Sequence, residues 1–220
     1  MPALFTDRRG GRSHPPYECL NLALHVGDEQ TLVLENRDLL TPITGPIQFM
    51  NQSHGQRYVH VQALESIEPD CDALITTTPG IAVAVLTADC IPLLLISSQV
   101  VAAVHVGRKG LINNITVKVI DEMKRLGATS IHAKLGPSIC GLCYEVPAVM
   151  AQEVALSHPQ ALALTRTGTP SLDLPKALIA VLLSQGLTFE ASEICTLENS
   201  DYFSYRREKI TGRNAAVVWL

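Results

Sequence analysis

The sequence predicts an α/β (α+β) fold, with mixed β-sheets flanked by helices in a single domain. Short β-branched and aliphatic runs alternate along the chain with segments of helical periodicity. No internal repeat or low-complexity segment interrupts this alternation. The chain has 220 residues, of which 47% are hydrophobic, and this is enough for one large core. We therefore expect one domain rather than two independent ones.

Taken in order, the apolar runs predict strands that are separated by polar or Gly-rich turns. The predicted strands are Phe5–Thr6, Ile47–Gln52, Ile81–Leu86, Pro92–Ile96, Val100–Val104, Ile131–Leu135 and Ala215–Leu220. Helices are predicted where apolar residues recur on one face or where Pro and Gly mark the ends. They cover Leu111–Leu126, which stops at Gly127, then Pro147 to about His158, Pro175–Ser184, and a segment that includes Asn36–Leu40.

The two central runs are joined only by Ser97, Ser98 and Gln99, and this short connection predicts an antiparallel hairpin. If Ser97 pairs with Val100, the numbers of opposed residues sum to 197. Pro92 then faces His105, and Cys90 lies diagonally across from His105 at roughly 7 Å between backbones. The hairpin therefore brings a thiol and an imidazole within reach of one shared ion.

Three residues at the ends of predicted elements, His54, Cys90 and His105, form a candidate metal-ligand set. Three such ligands leave a tetrahedral zinc one open position for water or substrate. The spacing matches none of the short zinc motifs, so the prediction rests on the hairpin. A buried inert thiol is the alternative for Cys90, but Asp89 before it and Pro92 after it do not suit a plain core strand.

The remaining histidines and cysteines have no comparable context. We interpret His14, His60, His132 and His158 as structural, and His25 remains open. Six cysteines are too few for a disulfide scaffold in a chain of this size and suit a reducing compartment. Cys140 and Cys143 form a C-x-x-C that is a redox pair, half a zinc site or a structural turn, and the turn is favoured because no second C-x-x-C exists.

Charge and hydropathy limit the partners and the location. The net charge is −4 without a basic run, which argues against nucleic acid and anionic membranes as partners. The first 11 residues lack the apolar core of a signal peptide, and Asp89 and Pro92 interrupt the longest apolar stretch. We therefore expect a cytoplasmic protein with no membrane span.

The ordered combination of five sequence blocks resembles the laccase-domain family, long labelled polyphenol oxidase and now assigned purine nucleoside phosphorylase activity with adenosine deaminase side activity. The resemblance covers nearly the whole chain. The blocks are Phe5–Arg8 with Gly10-Gly11 and Asn21–Asp28; Gln52–Gly55; Asp72–Leu74 through Ala88–Cys90 and His105–Gly107; Gly136–Ile139 with Tyr144–Val146; and Cys195-Thr196 with Phe203–Arg207 and Thr211–Arg213.

The resemblance implies that residues 1–220 form one catalytic domain and that His54, Cys90 and His105 bind a catalytic zinc. It implies a purine nucleoside (adenosine, inosine or methylthioadenosine) and phosphate as small-molecule partners, in a monomer or homodimer. The metal would act as a Lewis acid on phosphate or generate hydroxide near neutral pH. Copper could replace zinc by its higher affinity for such ligands. Asp89 is a candidate to orient a ligand or act as general acid or base, with a structural turn as an equal alternative.

Candidate substrate contacts are one amide and four cations near the quoted blocks: Asn21, Arg108, Lys109, Arg206 and Arg207. Relatives often have Trp-Arg where this chain has Arg108-Lys109, so a cation replaces an aromatic surface, and Lys109 lacks the bidentate fork of arginine. For each cation an ion-paired surface role is the alternative, and Asn21 could instead cap a turn.

The chain has seven histidines and no His-x-His pair, which disfavours multicopper oxidase chemistry. Two other functions remain open. A cysteine hydrolase with Cys90 as nucleophile and His105 as base, acting on peptidoglycan precursors, is one alternative. A non-catalytic zinc-binding module is the other, although a structural zinc normally has four protein ligands.

Overall fold

The computed structural model describes residues 2–220 and contains two packed sheets, a separate hairpin and a set of short helices. The strands are β1 (Ala3–Phe5), β2 (Ile47–Gln48), β3 (Tyr58–Val61), β4 (Ala73–Thr76), β5 (Ala82–Thr87), β6 (Ile91–Ile96), β7 (Val101–Val106), β8 (His132–Leu135), β9 (Leu162–Leu164), β10 (Pro170–Leu172), β11 (Thr188–Ala191) and β12 (Asn214–Val218). The helices are α1 (Gln30–Asp38), α2 (Thr41–Thr44), α3 (Arg108–Ile112), α4 (Ile115–Arg125), α5 (Ala148–Ala155), α6 (Leu174–Ser184) and α7 (Tyr205–Glu208).

The strands pair in a mixed pattern. The larger sheet has the order β11-β8-β6-β7-β4-β3, and the smaller has the order β1-β12-β5-β2. Parallel pairs occur at β11/β8, β3/β4 and β2/β5, while the other pairs in these sheets are antiparallel. Strands β9 and β10 form the separate antiparallel hairpin. The predicted α/β class with mixed sheets is therefore confirmed.

Three apolar clusters hold these layers together. Residues such as Leu74, Val85 and Leu94 fill the space between the two sheets. The largest cluster covers the other face of the six-stranded sheet and includes Val119 of α4 and Leu178 of α6. A third cluster, with Leu22 and Phe49, covers the outer face of the smaller sheet. The molecule is thus one layered domain in which apolar clusters cover both faces of the six-stranded sheet.

The predicted hairpin register is confirmed. Pro92 lies opposite His105 and Ile91 opposite Val106, so the paired numbers sum to 197. The connection is a tight turn in which the Ser97 amide donates to the Val100 carbonyl (3.0 Å) and the Ser97 hydroxyl accepts from the Val100 amide (3.0 Å). Because side chains alternate along each strand, this register fixes which face His105 points to.

Several predicted boundaries differ from the structure. The helix predicted over 111–126 is divided into α3 and α4, because Asn114 adopts a left-handed conformation (φ 56°) that asparagine tolerates at little cost. The strand predicted over 47–52 ends at Gln48. Beyond it the Gln52 side chain pairs with the Leu86 backbone instead, through two hydrogen bonds of 2.8 Å. Helix α1 begins at Gln30, well before the predicted 36–40.

None of the helices in the described part of the chain, residues 2–220, has the length and apolarity that a bilayer span requires.

Candidate active site

Three polypeptide segments bring the predicted metal ligands together at one edge of the sheets. His105 lies near the end of β7, Cys90 immediately precedes β6, and His54 lies in the loop between β2 and β3. One ligand atom from each residue lies within 4.8 Å of the others. The rings of His54 and His105 meet edge to face, with centroids 4.7 Å apart. The arrangement has the size of a site for one metal ion.

Asp72, the residue before β4, holds two of these segments in place through its carboxylate. Its buried carboxylate lies 2.8 Å from His105 Nδ1 and also accepts hydrogen bonds from the amides of His54 (2.9 Å) and Gly55 (2.6 Å). A carboxylate at Nδ1 keeps the proton there, so that Nε2 is the nitrogen that can offer its lone pair to a metal ion. Asp72 therefore fixes both the tautomer of His105 and the backbone that carries His54.

Close backbone approach allows the ligands to converge. A Cβ atom on Gly107 would lie 2.8 Å from Cys90 Sγ, closer than ordinary packing permits. The backbone of His54 (φ 59°) and that of Asp89 (φ 97°) both lie in the left-handed region. Such conformations are uncommon for residues with a Cβ and persist where surrounding contacts over-determine them.

The electrostatics of the cluster favour charged side chains despite burial. Burial opposes ionisation of Cys90, but the charge of His105 and hydrogen bonds from both histidines outweigh it and lower the thiol pKa. Burial likewise opposes the charge of His105, yet the Cys90 thiolate and Asp72 raise its pKa. Burial would raise the pKa of Asp72, whereas the contacts with His105 and the loop amides lower it to about 2. Cys90 is therefore disposed to be the thiolate that a metal ligand or nucleophile must be.

The cluster lies in a cavity of about 470 Å³, a size that suits a small organic ligand. Its walls combine apolar side chains, two tyrosines and four cations. The lining includes Leu86, Ile139 and Leu174, the aromatic Tyr144 and Tyr205, the cationic Arg108, Arg206, Lys209 and Arg213, and His25, Gln52 and Asp89. A cavity with this lining provides positive charge for an anion and flat apolar surface for a ring.

The predicted substrate contacts divide into two groups. Arg108 and Arg206 line the cavity, and Arg206 lies over the Tyr144 ring at 5.0 Å from its centroid. Lys109 is exposed on α3 outside the cavity lining. The Arg207 guanidinium is used by backbone carbonyls, including those of Thr196 (2.6 Å) and Tyr202 (2.6 Å).

Asn21 also lies outside the cavity lining. It is fully buried, its amide group donates to Asp28 (2.8 Å), and its oxygen accepts from the Arg213 amide (3.0 Å). These bonds join the N-terminal segment to the chain just before β12. The geometry thus gives Asn21 a structural use and favours Arg108 and Arg206 for the proposed substrate contacts.

Asp89 uses its carboxylate to hold a neighbouring loop. It accepts hydrogen bonds from the Thr196 hydroxyl (2.8 Å) and from the Arg206 amide (2.6 Å). Of its two predicted roles, these contacts favour that of the turn residue. In this position its carboxylate fixes the backbone of Arg206, which lines the cavity.

Sequence reasoning assigned no role to Asp72, Tyr144, Lys209 or Arg213, and it left His25 open. Asp72 had a signal, because an aspartate directly precedes a strand whose four residues are all buried. Tyr144 and Arg213 lie in blocks that support the family resemblance, but nothing in the sequence places them on one cavity.

Fold and site together define a class: mixed α/β domains with a His–Cys–His cluster at the base of a cationic cavity. The chain belongs to the family described as multi-copper polyphenol oxidoreductase laccase, whose model matches residues 2–220. The resemblance inferred from the five blocks is thereby confirmed.

Relatives and solved structures match over nearly the full length. A Streptomyces coelicolor protein named purine nucleoside phosphorylase is 45% identical, covering 98% of this chain and 94% of its own. A Corynebacterium glutamicum protein of the same name is 42% identical, covering 99% and 93%. A Neisseria meningitidis crystal structure superposes with a TM-score of 0.91 at 33% identity, covering 99% and 93%. These names support an enzyme of the purine nucleoside phosphorylase kind.

Proposed function

We propose that this protein is a zinc-dependent purine nucleoside phosphorylase that acts on adenosine, inosine and methylthioadenosine and also deaminates adenosine. The observation that carries the proposal is the His54–Cys90–His105 cluster, with Asp72 behind it, at the base of a cavity with cations. The names of the relatives support the substrate class. A cytoplasmic location and a monomeric or homodimeric state remain predictions.

The donor set fits zinc. Two imidazoles and a thiolate are ligands of the type that zinc prefers, and separations below 4.8 Å suit bonds of about 2.0–2.3 Å to one ion. Three protein ligands leave a fourth position open, as in catalytic zinc sites. When bound, zinc would supply Lewis acidity toward phosphate, or hydroxide near neutral pH for deamination. The same donors would accept copper if it replaced zinc.

The side chains of the cavity provide the other requirements of phosphorolysis. Arg108 and Arg206 can hold phosphate as a dianion against the sugar, because guanidinium groups bind such anions in a fork geometry. Tyr144 and Tyr205 offer aromatic surfaces on which a purine can stack. Burial and the charge of Arg213 lower the pKa of His25, so that its neutral ring can exchange hydrogen bonds with a base or sugar.

One feature supports a second candidate, the cysteine hydrolase. Cys90, His105 and Asp72 stand in the order of nucleophile, base and orienting carboxylate, and the pKa of Cys90 is lowered. Peptidoglycan precursors would be its substrates. This reading leaves His54 without a chemical role, although His54 contributes to the lowered pKa of Cys90. A non-catalytic zinc module is less well supported, because it does not account for the cationic cavity.

Product analysis with and without phosphate distinguishes these candidates. Purified protein of known metal content is incubated with inosine, adenosine or methylthioadenosine, and bases, sugars and ammonia are quantified. We expect inosine cleavage to require phosphate and to yield ribose 1-phosphate, and adenosine to release ammonia without it. Removing the metal should cost on the order of a hundredfold or more in rate, because a Lewis acid contributes several kcal/mol at the transition state.

Cys90→Ala removes the thiol of the cluster. Its matched control is Cys19→Ala, which removes a thiol outside the cluster and should leave these rates unchanged. Phosphate-independent turnover in metal-free protein, lost in Cys90→Ala, would replace the phosphorylase with the thiol hydrolase. Bound zinc without turnover of any of the three nucleosides would overturn the phosphorylase proposal.

A further inference from the structure

A second group of potential metal ligands lies away from the His54–Cys90–His105 cluster. Cys140, Cys143, Cys195 and Glu198, here called the Cys3Glu cluster, each place one ligand atom within 4.8 Å of the others. The two C-x-x-C cysteines lie in the loop between β8 and α5, and the other two residues follow β11. A structural turn was the favoured prediction for Cys140 and Cys143 because the sequence has no second C-x-x-C. The fold nevertheless brings a third thiol, that of Cys195, to the same place.

The local backbone presents these thiols in a fixed arrangement. The amides of Cys143 and Tyr144 both donate to the Cys140 carbonyl (3.0 Å each), which closes the C-x-x-C into a tight turn. The Cys140 amide donates to Cys195 Sγ at 3.4 Å. An N–H aimed at a sulfur stabilises a thiolate, as do the hydrogen bonds that surround metal ligands.

Backbone pairing joins the two loops directly. Ser138 and Cys195 form an isolated parallel bridge, with the Thr196 amide donating to the Ser138 carbonyl (3.1 Å) and the Ser138 amide to the Ile194 carbonyl (3.3 Å). The ligands are thus positioned by the fold and need little rearrangement to meet one ion.

We propose that Cys140, Cys143, Cys195 and Glu198 bind a second zinc ion in a closed, structural site. Four protein ligands with at least three thiolates are the composition of structural rather than catalytic zinc sites. Three thiolates and a carboxylate carry four negative charges, and zinc carries two positive charges, so the occupied site has a net negative charge. The ion pair between Arg166 and Glu198 offsets part of that net charge. A disulfide between Cys140 and Cys143 would use only two of the four ligands.

The site would stiffen one wall of the cavity. Ile139 precedes Cys140 and Tyr144 follows Cys143, and both line the cavity. Thr196 follows Cys195 and donates to Asp89, the neighbour of Cys90. Zinc at the Cys3Glu cluster would therefore tie together the loops that position Tyr144 and Cys90. The inference concerns metal binding alone and is independent of the nucleoside chemistry proposed above.

Cobalt titration of the full-length Cys90→Ala variant tests the proposal directly, because this variant lacks the only thiol of the other cluster. Protein is reduced, freed of metal and titrated with Co²⁺ without oxygen. We expect one equivalent to bind with the thiolate-to-cobalt charge-transfer absorption and the visible bands of a tetrahedral site, and zinc to displace it. Wild-type protein should bind two equivalents.

Two variants and two matched controls assign the ligands. Adding Cys143→Ser to Cys90→Ala should abolish the charge-transfer absorption, and Glu198→Gln should weaken it and speed the release of cobalt to a chelator. Cys19→Ser and the exposed Glu193→Gln should change nothing. No thiolate-to-cobalt absorption in folded, reduced Cys90→Ala would overturn the proposal, whereas the second equivalent in wild type reports on the other cluster. Should Cys143→Ser fail to fold, the titration of Cys90→Ala still decides.

Discussion

Asp72→Asn removes a charge from behind the metal ligands with almost no change in volume. One carboxylate oxygen of Asp72 accepts from His105 Nδ1 (2.8 Å) and the His54 amide (2.9 Å), and the other from the Gly55 amide (2.6 Å) and the Ser53 hydroxyl (3.1 Å). An asparagine has one oxygen for these two sets of donors. If its NH₂ group faces the loop, it lies against the Gly55 amide and the Ser53 hydroxyl, which are also hydrogen-bond donors. If it faces His105, the proton moves to Nε2 and the imidazole loses its free lone pair.

Both orientations weaken metal binding. Loss of such an outer partner costs 10- to 100-fold in metal affinity, equivalent to about 1.4 to 2.7 kcal/mol. The fold is weakened too, because hydrogen bonds to a charged group contribute about 1.5–3 kcal/mol each and the donors become unpaired in a buried site. For a net loss on the order of 3 kcal/mol, the thermal midpoint of a chain of this size falls by about 10 °C.

The variant should also change the acid stability of the metal-free protein. The folded-state pKa of Asp72 is lowered to about 2 from 3.8, so its ionisation contributes stability above about pH 4 that disappears as the pH falls toward 2. A shift of this size corresponds to about 2 kcal/mol. In Asp72→Asn this contribution is absent at every pH, so the stability difference from wild type should shrink between pH 4 and 2.

Competition with a zinc chelator, followed by urea unfolding at several pH values, measures both effects. The matched control is Asp70→Asn, an exposed carboxylate two residues earlier that contacts Asn51 and none of the metal ligands. Unchanged zinc affinity in Asp72→Asn, or the same loss of affinity in Asp70→Asn, would refute the role given to the His105 contact.

Two further substitutions test the cluster and the close backbone approach beside it. Cys90→Ala should keep a cooperative thermal transition, because the large apolar cores do not depend on the metal. Nucleoside cleavage should disappear in this variant. If circular dichroism and calorimetry show an unfolded protein instead, the metal is structural. Gly107→Ala should leave the thermal midpoint nearly unchanged, because its φ of −89° suits alanine, but its Cβ displaces Cys90 Sγ. We expect kcat/KM to fall on the order of tenfold to a hundredfold, and full activity with full zinc content would show that the close approach is not required.

The strand register was predictable because it depends on local information. A connection of three residues leaves few ways to pair β6 with β7, and the period of two then fixes the side of His105. The division of the helix at Asn114 was not predictable, because the apolar spacing continues across it and a left-handed asparagine costs little.

The candidate site was predictable only in part, for a similar reason. His54, Cys90 and His105 stand out because each interrupts the local pattern where an element ends. Asp72 contacts His105 from 33 residues away in sequence, and the cavity joins His25 near one terminus to Arg213 near the other. Such contacts depend on how the layers pack, and the pattern of a single segment carries no information about them.

His54 provides the physical distinction between the two chemical readings of the cluster. A thiolate–imidazolium pair oriented by a carboxylate needs only Cys90, His105 and Asp72, and an extra imidazole beside the thiolate would compete for its charge. The loop nevertheless holds His54 at a left-handed φ of 59°, with its backbone amide bonded to the same carboxylate that orients His105. A conformation of this kind persists only where other contacts support it. The carboxylate therefore positions two imidazoles toward one thiolate, and a shared metal ion would use all three.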